Sequence, residues 1–173
     1  MIVTPRLRGL PLSEADFDDL CALNLDARVL APFGVAPSSP DETAAETREF
    51  LDAKLAHWRE HGFGIWMFRD YDGAFVGRCG IHRWSLDDQP EVELGYIVRS
   101  ALWSRGYATE MGRGVVDHAF SALSLPTLVG FTRPGNAASR RVLEKLGFAY
   151  ERTFAARGKE SVLYRLASSS PRP

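Results

Sequence analysis

Three strand-like segments follow one another between Phe63 and Val98, joined by connections too short to contain a helix. They cover residues 63–69, 74–84 and 91–98, and turn-forming residues such as Asp72-Gly73 separate them. Strands joined by so short a link lie antiparallel, because a parallel pair needs a crossover of about a dozen residues or more. The sequence therefore predicts a β-meander in the middle of the chain.

After the meander the periodicity changes, and apolar residues recur at spacings of three and four. Helices are predicted over 105–123 and 136–146, and strands over 125–132, 148–154 and 160–167. Earlier in the chain, the sequence predicts a strand over 2–9, a helix over 13–26, and a helix that begins after Ser39 and ends at Gly62. The predicted fold is α+β (mixed α/β), with antiparallel strands around one β-helix-β unit and helices on both faces.

The chain has 173 residues, the size of one domain. We interpret residues 1–167 as a single domain in which the Pro-rich stretch 31–40 is a connector, and residues 168–173 as a loose tail. Basic and acidic residues number 21 and 22, so no broad positive surface is expected for nucleic acid. A small anionic ligand needs only a local positive site and is compatible with this balance.

The sequence lacks several motifs that would indicate a membrane, a secreted protein or a metal site. No apolar run approaches the roughly 20 residues of a membrane span, and the first residues lack the pattern of a signal peptide. Cys21 and Cys79 stand far apart without a CxxC motif, and the four histidines form no metal-binding motif. We therefore expect a cytoplasmic protein with no metal site and no membrane partner.

The stretch Glu91–Glu110 carries the strongest functional signal, because a strand is predicted to end near Val98 and a helix to begin near Arg105. The first amides of a helix lack partners within it and, together with the helix dipole, attract anions. Gly106 would let a phosphate approach the backbone and Arg105 would add charge, although a single glycine can also serve a tight turn alone. The absence of GxxxxGK[ST] and GxGxxG argues against a P-loop or a Rossmann site.

The stretch Arg133–Phe148 is the second informative one. Asn136 by itself is best interpreted as a helix N-cap. Arg140 and Arg141 follow in the predicted helix, where they are either solvated charges or partners of an anion.

Five short motifs occur in order along nearly the whole chain. They are Thr4-Pro5-Arg6-Leu7, Glu93-Leu94-Gly95-Tyr96, Trp103-Ser104-Arg105-Gly106-Tyr107-Ala108-Thr109-Glu110, Asn136-Ala137-Ala138-Ser139 and Glu144-Lys145-Leu146-Gly147-Phe148. Each is weak alone, but in order and spacing they resemble the GNAT superfamily of N-acetyltransferases, and within it the ribosomal-protein N-terminal acetyltransferase-like group. The resemblance implies a mostly antiparallel, twisted sheet of about seven strands, splayed between the fourth and the fifth, with about four helices on both faces.

The resemblance further implies transfer of an acetyl group from acetyl-CoA, as cosubstrate, to a primary amine of a protein N-terminus or a small molecule. Amides from Ser104 to Thr109 would hold the CoA pyrophosphate, and the backbone of a bulged and splayed strand would pair with the pantetheine arm and stabilise the oxyanion. The residues so implied for CoA are Tyr96, Ile97, Val98, Ser104, Arg105, Gly106, Tyr107, Ala108, Thr109, Asn136 and Arg140, with Arg141 as the alternative to Arg140.

Glu93 is the candidate general base that the resemblance implies, acting through a water. The amine must be neutral to attack, and an α-amine, with a pKa of about 8, loses its proton more readily than lysine does. Glu93 could equally face solvent or pair with an arginine, and Glu91, on the same face of the strand, is the substitute candidate.

Leu143 marks a departure from the pattern, since many members have a proton-donating tyrosine at this position. Ser139 is the implied donor instead, although it also suits a helix cap, and Tyr150 and Tyr164 stay open as donors. The departure also supports an alternative function, a non-catalytic acyl-CoA-binding or sensing module.

The acceptor and the oligomeric state are left open by the sequence. Asp87, Asp88 and Glu91 would attract a cationic acceptor. A homodimer is compatible with the sequence, but nothing in it specifies one.

Overall fold

In a computed structural model, which describes residues 1–156 and 158–168, eight strands form one sheet in the order β1-β2-β3-β4-β5-β6-β8-β7. The strands are β1 (Ile2–Val3), β2 (Leu7–Pro11), β3 (Ile65–Asp70), β4 (Phe75–Leu86), β5 (Gln89–Val98), β6 (Thr127–Thr132), β7 (Ala149–Ala156) and β8 (Lys159–Ala167). The α-helices are α1 (Phe17–Leu25), α2 (Ala27–Leu30), α3 (Pro40–His61), α4 (Tyr107–Ser121) and α5 (Ala137–Lys145). The predicted fold class is confirmed. Apart from Ser168, the tail predicted over 168–173 lies outside the described residues.

An additional strand arises near the N-terminus, where the single strand predicted over 2–9 is divided into β1 and β2. Pro5 has no N–H to donate to a sheet, and the chain turns there, with the Thr4 N–H donating to the Leu7 carbonyl at 2.9 Å. The prediction of about seven strands missed this division. The predicted connector over 31–40 also contains a 3-10 turn, Ala31–Phe33.

The predicted meander is confirmed, since β3, β4 and β5 pair antiparallel in succession. The β4–β5 register runs without a break from Gly77 opposite Val98 to Leu86 opposite Gln89. The bulge implied for β5 is therefore wrong for this pairing. The backbone of β5 is instead exposed by the splay, because β5 and the parallel strand β6 are in register only at Glu93 and Val129.

Helices cover both faces of the sheet, as predicted. On one face, α4 and α5 bury a core that includes Phe68, Leu94, Met111, Val115 and Leu143. On the other, α1, α2 and α3 bury a second core that includes Leu20, Val29, Leu51, Ile65 and Met67. Among the described helices, none is both long and apolar enough to cross a membrane.

The start of α3 shows how local sequence sets an element boundary. Ser39 is the N-cap, Pro40 is the first helical residue, and Glu42 completes a capping box. Gly62 ends the helix with a left-handed φ of 72°. These residues explain why the boundaries predicted for this helix agree with the structure.

Candidate functional site

A cavity of about 470 Å³ lies where β5 and β6 splay apart. Its lining comes from β5, the end of β6, the start of α4, one side of α5, and the segment around α2 and the 31–33 turn. The predicted site residues that line it are Glu93, Tyr96, Ile97, Val98, Ser104, Gly106, Tyr107, Ala108, Thr109, Asn136 and Ser139. Arg105 and Arg140 are the predicted site residues that do not.

The six amides from Ser104 to Thr109 belong to a segment at the start of α4 that lines one end of this cavity except at Arg105, and we call them the amide cradle. Ser104 and Gly106 have positive φ values of 63° and 81°, and turns of this kind make a concave surface of N–H groups that binds anions. Within the described chain, none of the six amides donates a hydrogen bond to protein; the first hydrogen bond at the start of α4 is from the Glu110 N–H to the Gly106 carbonyl. The cradle thus has the donors that a diphosphate requires.

The N-terminal turn holds the cradle in place through Glu110, in the first turn of α4. The Thr4 hydroxyl donates to Glu110 Oε1 at 2.7 Å, and the Arg6 Nε donates to Glu110 Oε2 at the same distance. The two terminal nitrogens of Arg6 each donate to the Arg105 carbonyl at 3.2 Å. Burial alone would raise the pKa of Glu110, but the hydrogen bonds from Thr4 and Arg6 outweigh it and lower the pKa below its ordinary value.

The role of Thr4 and Arg6 was missed by the sequence analysis, which used them only as a family motif. Their partners lie about a hundred positions away in the chain, so no local pattern shows the contact. The same contacts place the Arg105 carbonyl against Arg6, whereas Arg105 itself does not line the cavity.

Glu93 lies at the point where β5 and β6 meet, and it is buried on the α3 face of the sheet. Its Oε2 is 3.0 Å from Nε2 of His82, the residue directly opposite on β4. The angle at this contact is not that of a hydrogen bond, and Oε2 accepts none from the described residues. Glu93 lines the cavity, while its Oε2 is buried and has no aligned donor, so this carboxylate is not held by a protein hydrogen bond at that oxygen.

Tyr96 and Ser139 lie across the sheet from Glu93, because alternate residues of a strand point to opposite faces. The Tyr96 hydroxyl is 2.9 Å from both the carbonyl and the Oγ of Ser139. Burial raises the pKa of Tyr96 above its ordinary value, so this hydroxyl keeps its proton at neutral pH. The sequence analysis considered only the backbone of Tyr96 and missed this side chain.

Three other predicted residues are engaged by the protein itself. Asn136 caps α5 by accepting from the Ser139 N–H at 3.1 Å, and it also lines the cavity. Arg140 Nε donates to the Tyr164 hydroxyl at 3.0 Å, outside the cavity, while Arg141 lines it. Tyr164 also donates to Glu144, so its hydroxyl is occupied on both sides.

The acidic residues expected to attract a cationic acceptor are partly neutralised. Arg165 binds both carboxylate oxygens of Glu91, at 2.7 and 3.0 Å, and Arg152 contacts Asp87. The ion pair removes Glu91 as a substitute for Glu93, because its carboxylate is already bound on both oxygens.

Comparisons with known proteins agree with this geometry. A family model described as an acetyltransferase (GNAT) domain matches residues 6–149. The chain is 30% identical over 145 residues to the uncharacterized protein YkkB of Bacillus subtilis, covering 79% of this chain and 84% of that one. It is 29% identical over 159 residues to FsC-acetyl coenzyme A-N(2)-transacetylase of Aspergillus fumigatus, covering 87% of this chain and 66% of that one. The structure of an acetyltransferase from Agrobacterium tumefaciens has a TM-score of 0.82 and 30% identity, covering 96% of this chain and 94% of that one.

Proposed function

The chain belongs to the GNAT acetyltransferase family, as its motifs predicted, and on that premise we propose that it transfers the acetyl group of acetyl-CoA directly to a primary amine bound beside Glu93. The observation that carries this proposal is the amide cradle, whose six N–H groups are free of protein partners among the described residues. The relative from Aspergillus fumigatus is named for transfer from acetyl coenzyme A, which supports the same donor.

The residues around the splay fit a thioester carrier with its diphosphate on the cradle. The unpaired edge of β5 from Leu94 to Val98 offers backbone groups to an extended arm, and the cavity continues from the cradle to Glu93. When bound, acetyl-CoA supplies an activated acetyl group and a thiol leaving group.

Glu93 and Ser139 lie on opposite sides of the cavity between β5 and β6, which supports a different role for each in proton transfer. Glu93, on the α3 face, takes the proton of the amine. Ser139, on the α5 face beside Tyr96, donates a proton to the leaving sulfur. Leu143 is buried beneath Gly130 and has no proton to give, so the hydroxyl pair takes the place of the usual tyrosine.

The acceptor that best fits the site carries one amine next to an apolar group. Glu93 is the one acidic side chain among the described residues that line the cavity, and Val29, Phe33 and Phe131 add apolar walls. Glu91 and Asp87 are ion-paired with Arg165 and Arg152. A protein N-terminus with an apolar first residue, or a small apolar monoamine, suits this site better than a polyamine, which needs several carboxylates.

The test is release of free thiol from acetyl-CoA in the presence of an amine panel. We expect turnover with peptides that have a free, apolar N-terminal residue, and none with the same peptides blocked at the N-terminus. Spermidine is expected to give a kcat/KM at least about tenfold lower, equivalent to about 1.4 kcal/mol. Spermidine as the best acceptor would overturn the assigned acceptor class, and no thiol release with any amine would overturn the proposed transfer.

A further inference from the structure

His82 contacts the candidate base from the neighbouring strand. Its Nε2 lies 3.0 Å from Glu93 Oε2, and its side chain is 17% exposed against 11% for Glu93. The two residues are a directly opposed pair on β4 and β5, in the part of the sheet where the register has no break. The strand pairing therefore fixes the approach of the two side chains.

The reaction itself requires a route for one proton. An amine that is protonated at neutral pH must lose a proton before attack and a second one as the amide forms, while the leaving sulfur takes up one. One proton per turnover therefore has to leave the site. Oε2 of Glu93 is closed to solvent, so a proton held on that oxygen needs a partner to reach bulk water.

We propose, on the basis of the acetyl transfer proposed above, that His82 positions the Glu93 carboxylate and carries the proton from Glu93 to solvent. The carboxylate receives the proton from the amine, Nε2 of His82, 3.0 Å from Oε2, takes it once the imidazole turns into line with that oxygen, and the imidazole, whose side chain is 17% exposed, releases it to water. The second amine proton, released as the amide forms, replaces the one that Ser139 gives to the sulfur, and Glu93 returns to its ionised form for another turnover.

The other histidine close to His82 does not compete for this role. His57 Nδ1 contacts the Phe63 carbonyl at 2.9 Å, and its Nε2 accepts from the Arg83 N–H at 3.1 Å. Both ring nitrogens are therefore engaged with backbone, which requires the neutral ring. Burial lowers the pKa of His57 and favours the same form.

The charged and titratable groups around the pair come from three elements. They are His57 on α3, which interacts with His82 and with Lys54 and His61 of its own helix, and Glu91 on β5, which shares the Glu93 face of its strand and binds Arg165 on β8. Arg165 offsets Glu91, and His61 lies beside Glu60 rather than beside Glu93. His82 is thus the titratable side chain in direct contact with the Glu93 carboxylate within the described structure.

The test compares H82Q, E93Q and the double variant with the wild type over pH 5.5–9, at saturating acetyl-CoA. H82Q should lower kcat by about 100-fold, which is the low end of the effect of a positioned proton-transfer group. It should also change the pH dependence of kcat, while the KM for acetyl-CoA changes little. The double variant should be no slower than E93Q. Imidazole added to H82A should restore part of the lost kcat, which a merely structural histidine would not allow.

His61→Gln is the matched control, because His61 lies on the same side of the sheet without contacting Glu93; it should keep the wild-type profile. H82N replaces H82Q if melting temperature or CoA binding shows that H82Q is misfolded. An unchanged pH profile in H82Q, or losses that multiply in the double variant, would overturn the role of His82. Either result is distinct from failure of the proposed function, in which the wild type itself releases no thiol.

Discussion

Ser139 takes part in the α5 cap through its backbone, and we propose that its side chain is the proton donor. Its backbone N–H is part of the α5 cap, donating to Asn136 Oδ1, while its Oγ faces Tyr96. Asn136 is the capping residue, so the cap engages only the backbone of Ser139, and the Ser139 hydroxyl is paired with the Tyr96 hydroxyl at the cavity wall.

Removal of this hydroxyl gives a direct prediction at the residue scale. S139A should lower kcat by about 100-fold, because the leaving sulfur loses its proton donor, while the Kd for CoA stays within about twofold of wild type since the cradle is untouched. Y96F should have a smaller effect, because Ser139 Oγ remains. Steady-state kinetics gives kcat, and calorimetry gives the Kd for CoA. The control is S121A, in α4 and away from the cavity. A wild-type kcat in S139A would show that Ser139 is not the proton donor.

At the scale of elements, the start of α4 depends on a turn far away in the sequence. Glu110 accepts hydrogen bonds from the Thr4 hydroxyl, the Arg6 N–H and the Arg6 guanidinium. Arg6 also lies over the Tyr107 ring, with its guanidinium carbon 4.3 Å from the ring centroid. The first turn of α4 is thus held by contacts from the N-terminal turn, while its first amides donate to no acceptor in the described protein and most of its residues line the cavity.

This clamp predicts a pH-dependent stability. The lowered pKa of Glu110 in the folded state means that its ionised form stabilises the fold at pH values above its ordinary pKa of about 4.3, and that this contribution is lost as the pH falls through the folded-state pKa. E110Q should cost about 2 kcal/mol of unfolding free energy at pH 7 and less at pH 3.5.

Urea unfolding of the wild type and of E110Q at pH 7 and pH 3.5 measures the change in unfolding free energy. The exposed Glu46 on α3 offers a matched control, E46Q, which should cost little at either pH. A destabilisation by E110Q that is the same at pH 7 and pH 3.5 would contradict the assigned role of the Glu110 charge.

At the scale of the whole molecule, the features that could be predicted from sequence are those carried by local patterns. The meander follows from short links, α3 from the capping box at Ser39, and the cradle from Gly106 at a strand-to-helix junction. Each depends on residues within a few positions of one another. The division of the first strand at Pro5 was missed because the flanking residues also suit a continuous strand.

The contacts that could not be predicted all depend on register or on long-range packing. His82 meets Glu93 only because β4 and β5 pair with this particular offset. Glu91 is bound by Arg165, which lies two strands away in the sheet. Tyr96 reaches Ser139 because α5 packs over the splay. A single sequence contains the residue types but not these distances.

The most direct test of the account is a titration of the backbone amides with CoA, followed by 1H–15N chemical shifts. We predict that the amides from Ser104 to Thr109 shift most and exchange more slowly with solvent, and that pantetheine, which lacks the diphosphate, leaves them unchanged. Binding of CoA with no shift in these amides, or with equal shifts caused by pantetheine, would contradict the central claim that the amide cradle holds the diphosphate.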